Sequence, residues 1–207
     1  MAQELVVLVA DKDIEYGLRG LLARPRALGM RSISSEILVH PKHDPGCVGD
    51  AHNVLRTYAR DYAHALVVFD REGSGREAVD PRALEREMQS RLATSGWGDR
   101  AEVIAIDPEL EVWVFAASPH VEGCFGWPKR LGTLRRWLAR QGFWPEGQAK
   151  PGRPKEAVER ILREIRRPRS PALYHCLGQR VGVKRCSDGA FLKLIQVLGS
   201  WFPLVGA

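Results

Sequence analysis

Residues 65–69 (Ala-Leu-Val-Val-Phe) form an unbroken apolar run that stops at Asp70, with Glu72 close behind and then Gly73 and Gly75. A segment apolar on both faces must be covered on both faces, as a strand inside a parallel sheet is. Ligands of open α/β sheets bind beyond the carboxyl ends of the strands, where Asp70 and Glu72 fall. Two carboxylates there suit a hard divalent cation. On this stretch alone, a turn cap at Asp70 and a solvated Glu72 explain the residues as well.

The same pattern recurs along the chain. Residues 4–9 (ELVVLV) read as a first strand, ending in Ala10-Asp11-Lys12-Asp13. Ile14, Leu18, Leu21 and Leu22 then recur at helical spacing, which predicts a helix over 13–28 with Asp11 or Asp13 as its N-cap. Residues 31–40 read as a second strand, and 40–50, rich in proline and glycine, as a loop. Its His40, His43, Asp44 and Cys47 have zinc-like spacing but no second ligand pair. A substrate-facing loop or a plain connector fits better. A helix is predicted over 51–62, and another from Asp80-Pro81, an N-cap followed by a first-turn proline. Residues 101–106 make a further strand, followed by Asp107-Pro108-Glu109-Leu110-Glu111, with Pro108 expected to open a helix. Strand and helix alternate throughout, which predicts an α/β fold, a mostly parallel sheet flanked by helices. Acids end three strands: Asp11/Asp13, Asp70/Glu72 and Glu109/Glu111. Their convergence on one sheet edge makes a metal site the leading reading.

Beyond Trp127 the composition changes. Residues 1–128 hold 14 Lys/Arg against 20 Asp/Glu, net −6, whereas 129–207 hold 17 against 5, net +12. We read 1–128 as an α/β domain and 129–207 as a basic, mainly helical region, either packed on the first or standing apart. Helices are expected over 131–141, 155–166 and 188–201, with a linker over 142–154. Arg163, Arg166, Arg167 and Arg169 form the densest basic cluster. Such asymmetry points to a polyanion, nucleic acid before others, with solvated basic helices as the plain alternative. No apolar run approaches the roughly 18 residues needed to cross a bilayer, so no membrane partner is expected. Four cysteines without a CxxC pair read as reduced thiols, and an N-terminus without a basic region does not read as a signal peptide, so a cytoplasmic protein is expected.

The apolar strand with its Lys12-Asp13-Ile14-Glu15 helix start, then VVFDREGSG, then DPELEVW, together resemble the Toprim-like proteins, most nearly the small standalone members related to the RloB and OLD-nuclease groups. The likeness covers roughly residues 4–117. Asp70 and Glu72 match the family's D-x-D positions, and Glu111 and Trp113 its E-x-W element. The family's strand-one glutamate, its general acid or base, falls at Ala10, with Asp11 next to it. The resemblance implies phosphodiester chemistry with Mg²⁺ or Mn²⁺, which neutralises phosphate charge, activates water and stabilises the leaving oxygen. It implies Asp70, Glu72 and Glu111 as ligands, with Asp11 as ligand or substitute base. Lys12 and His43 are candidate phosphate contacts, and Arg135, Arg136, Arg163, Arg166, Arg167 and Arg169 would hold a nucleic-acid backbone without reading its sequence. The expected function is a metal-dependent nuclease, with antiphage defence as the context the family suggests. The alternative is an inactive Toprim-like subunit that binds nucleic acid or a partner protein. Asp11-Lys12-Asp13 also resembles the start of haloacid-dehalogenase-like phosphatases, but Glu15 departs from that pattern and no later lysine motif follows.

Overall fold

The apolar runs become four parallel strands: β1 (Gln3–Val9), β2 (Ser35–Val39), β3 (Tyr62–Asp70) and β4 (Ala101–Ile106), in the order β2-β1-β3-β4. The computed structural model describes residues 3–116, 118–183 and 186–204. Helices α1 (Lys12–Leu22), α2 (His43–Arg56) and α3 (Pro81–Leu92) make the crossovers between strands. After β4 come α4 (Glu111–Val114), α5 (His120–Phe125), α6 (Leu134–Arg140), α7 (Pro154–Glu164), α8 (Pro171–Arg180) and α9 (Gly189–Trp201). This is the α/β class read from the sequence, consistent with a Toprim-like fold.

Residues Ala65 to Phe69 of β3 are at most 1% exposed, as a run apolar on both faces requires. Burying each large side chain of that run stabilises the fold by about 1.5–3 kcal/mol. The chain leaves β1 toward β2, then returns past β1 to β3, so the winding reverses between the adjacent strands β1 and β3. In open α/β sheets, that reversal is where the crevice at the carboxyl edge forms. The free edge of β4 is covered by charge. The Ala105 N–H donates to Glu85 (3.0 Å), and Lys193 donates to the Val103 carbonyl (2.8 Å) while pairing with Glu85 and Glu102. Side chains thus satisfy backbone groups that would otherwise template a further strand.

Several predicted boundaries move. The first helix stops at Leu22, and Pro25–Leu28 forms a separate 3₁₀ turn, because Pro25 lacks an N–H and disfavours the helical conformation at Arg24. The predicted loop over 40–50 contains the start of α2. Pro45 lies in its first turn, where the missing N–H costs nothing, and Gly46 packs so close to His40 that a Cβ would meet its Nδ1 at 2.0 Å. Pro108 does not open a helix, since α4 starts at Glu111, after the Leu110 N–H has found the Asp70 carboxylate at 2.9 Å. Helices α5 and α8 were not anticipated.

The basic region packs on the sheet domain. Helix α8 lies tightly along α1, α7 contacts α4, and α9 contacts β4. The α1–α8 approach runs through glycines: a Cβ on Gly20 would meet the His175 carbonyl at 2.4 Å, and one on Gly178 the Gly17 carbonyl at 2.4 Å. The reading of four reduced thiols is corrected. Cys124 and Cys176, 52 residues apart, are joined by a disulfide between α5 and α8, while Cys47 and Cys186 are free and buried. Only the packing of α5 against α8 brings that pair together, so spacing in the sequence gives no sign of it. Among the described residues, no helix is long and apolar enough to cross a membrane.

Candidate metal centre

Asp70 ends β3, and Asp11 follows Ala10 at the end of β1, so the winding reversal sets both at one edge. Asp11 caps α1, its Oδ1 accepting from the Ile14 N–H at 2.8 Å. Asp44, in the first turn of α2, reaches the same edge: its Oδ1 accepts from the Asp70 N–H at 2.8 Å. The Asp70 Oδ1 in turn accepts from the Leu110 N–H, which anchors the segment carrying Glu109 and Glu111. Each of these three aspartates commits Oδ1 to a backbone N–H.

The charges crowd one another. Burial, and then the carboxylates of Asp44, Glu111, Asp11 and Glu109, push the Asp70 carboxyl well above its ordinary range. Burial likewise raises Asp44, with Asp11 adding to it, against the hydrogen bond from Asp70. Burial raises Glu109, and Glu111 adds to it although Lys155 pairs with Glu109 at 3.2 Å. Groups perturbed both by burial and by specific like charges are candidates for a functional site.

Glu111 is 1% exposed and partly neutralised. The Arg169 guanidinium lies 2.7 Å from it and 2.7 Å from Asp13, and the Tyr174 hydroxyl donates to Glu111 at 2.5 Å. Arg169 therefore closes one side of the acidic edge, a contact unlike the open basic cluster read from the sequence. Burial pushes the Tyr174 hydroxyl up strongly, and the Glu111 charge adds to this, so Tyr174 stays a donor.

The other predicted residues distribute as follows. Glu72 is exposed and is not among the carboxylates acting on Asp70. Lys12 pairs with Glu15 at 2.6 Å. The His43 Nδ1 lies 3.2 Å from the Ala10 carbonyl, with its backbone in the left-handed region (φ 51°). His40 receives the Lys42 N–H on Nδ1, and burial pushes the Cys47 thiol up, so His40, His43 and Cys47 are spent on local structure. Arg135 lies over the Trp144 ring and donates to the Gln148 carbonyl. Arg136, Arg163 and Arg166 are exposed, and Arg167 donates to the Phe125 carbonyl at 2.9 Å. The sequence reading missed the part played by Asp44, considered there only for zinc, and by Tyr174, whose helix it did not foresee.

Among the described residues, no three His, Cys, Asp or Glu side chains form a group able to hold a metal ion. Comparison with protein-family models, with curated proteins and with solved structures yields no match.

Proposed function

We propose that this chain is a divalent-metal-dependent phosphodiesterase of Toprim-like type that acts on nucleic acid. The meeting of Asp70 with Asp44, whose Oδ1 takes the Asp70 N–H, and with Asp11 from the adjacent strand end, at the carboxyl edge where the winding reverses, supports this most. The donor set is all oxygen, which suits Mg²⁺ or Mn²⁺, and Mg²⁺ is commonly held by only one or two carboxylates plus waters and substrate phosphate. A three-ligand protein cage is not required for that mode. Asp70 is the principal ligand in this reading, with Asp11 and Asp44 beside it. The bound cation supplies charge neutralisation at the scissile phosphate and an activated water. Asp11 also stands nearest the place of the missing acid/base at Ala10. Glu111 holds Arg169 at the edge, Glu72 serves on the exposed rim, and Lys12, beside Glu15, is the candidate phosphate contact. Arg135, Arg136, Arg163, Arg166 and Arg167 hold the backbone through charge, which makes binding salt-dependent. Partner proteins, antiphage defence and a cytoplasmic setting go with this reading, although the Cys124–Cys176 bond pulls against the last.

The test is hydrolysis of labelled DNA and RNA with Mn²⁺ or Mg²⁺ by the chain and by Asp70→Ala. Activity lost in the variant supports the proposal, and equal activity in both refutes it. A non-catalytic subunit is the second reading, favoured by the buried Ala10 and by the engagement of Glu111 with Arg169 and Tyr174. Salt-dependent binding of nucleic acid without cleavage under any metal selects it.

A further inference from the structure

The loop that follows Asp70 already binds an anion. The N–H groups of Gly73 and Gly75 both donate to one oxygen of the Glu77 carboxylate, at 2.9 and 3.0 Å. Both glycines have positive φ (83° and 78°), the backbone that turns nearby N–H groups toward a common point. Nothing lies within 4 Å of the Cβ position of either glycine, so no neighbouring element packs on that side of the turn. Glu77 is exposed, while Ser74 beneath is buried and pins the turn, its hydroxyl donating to the Arg71 carbonyl at 2.6 Å. Arg71 bonds the Glu77 carbonyl and pairs with Asp107 at 2.7 Å, bringing a guanidinium to the same loop. The backbone N–H groups of Glu77 itself, Gly75 and Gly73, with the Arg71 charge, hold the Glu77 carboxylate below its ordinary range.

We propose that residues 73–77 form a phosphate-binding nest in which the Glu77 side chain stands in for a phosphate group of the nucleic-acid substrate. Two convergent N–H donors suit any small oxyanion. The loop begins three residues after Asp70, the last residue of β3, and this place selects a phosphate of the strand that reaches Asp70. Glu77, exposed and at the end of a flexible side chain, swings out when that phosphate enters. The substrate class rests on the function proposed above, whereas the anion site itself does not.

The experiment follows the Gly73 and Gly75 amide resonances of the metal-free chain during titration with inorganic phosphate, for the wild type and for Glu77→Gln. Phosphate should shift both amides saturably, and removing the resident charge should tighten its binding by about tenfold. Oligonucleotides with and without a terminal phosphate then identify the source. A preference for the phosphorylated end assigns a terminal monophosphate, and equal shifts assign the internal backbone. Unmoved Gly73 and Gly75 amides in a folded Glu77→Gln chain overturn the nest. Because no metal or cleavage is involved, a chain without nuclease activity leaves this result independent.

Discussion

Arg169, from the basic end of the chain, lies 2.7 Å from Glu111, which is 1% exposed beside the acidic sheet edge. The same guanidinium holds Asp13, and the Tyr174 hydroxyl donates a further hydrogen bond to Glu111. Removing the cation leaves a buried carboxylate unpaired. Arg169→Met should therefore cost about 2–3 kcal/mol, at the low end for a buried pair because Arg169 is partly open to water. Urea unfolding should show Glu111→Gln recovering more than half of that loss in the double variant. A cost for Arg169→Met no larger than that of an ordinary surface substitution would contradict this account.

The α1–α8 contact predicts opposite outcomes for two glycines on one helix. Gly20→Ala forces a Cβ to 2.4 Å from the His175 carbonyl and should destabilise by about 2 kcal/mol. At Gly17 the nearest atom is the Tyr174 Cβ at 3.9 Å, so Gly17→Ala should be neutral or stabilising by up to about 1 kcal/mol through helix propensity. Chemical denaturation of the two variants gives the comparison.

His64 stacks on Trp201 (ring centroids 4.4 Å apart) and meets the edge of Phe202, with its Nδ1 buried and unpartnered. Burial holds its pKa below the ordinary value, and Arg100 and Asp99 also act on it. The unfolded state then binds the proton more readily. Stability should be complete above about pH 6.5 and fall as the pH drops below it. Midpoints measured across this range should fall less steeply for His64→Leu. His40, also lowered by burial, leaves a residual slope of the same sign.

The disulfide closes a 52-residue separation between α5 and α8. On the chain-entropy account its loss should cost about 4 kcal/mol. Thermal midpoints with and without dithiothreitol, and for Cys124→Ser, should fall together. If reductant leaves the midpoint unchanged, the bond does not contribute in solution.

The strands were legible because fully apolar runs such as 65–69 leave a chain few alternatives, and the acids were legible as punctuation at strand ends. The actual arrangement of the edge was not. Asp44 lies in a Pro- and Gly-rich stretch that reads as a loop until His40 and Gly46 pack together. Helix α8 carries a weak amphipathic signal because it is matched to α1 by glycines and buried. Arg169 looked like part of a surface cluster, since only tertiary packing brings it to Glu111. Glu72 matched a pattern yet stays on the rim.

The central claim is that Asp70 holds a divalent cation, and Mn²⁺ binding followed by water-proton relaxation tests it most directly. The account predicts saturable binding to the wild type, weakened by more than about tenfold in Asp70→Asn, with that variant at least as stable because a crowded charge has been removed. Equal Mn²⁺ affinity in the wild type and Asp70→Asn would contradict it.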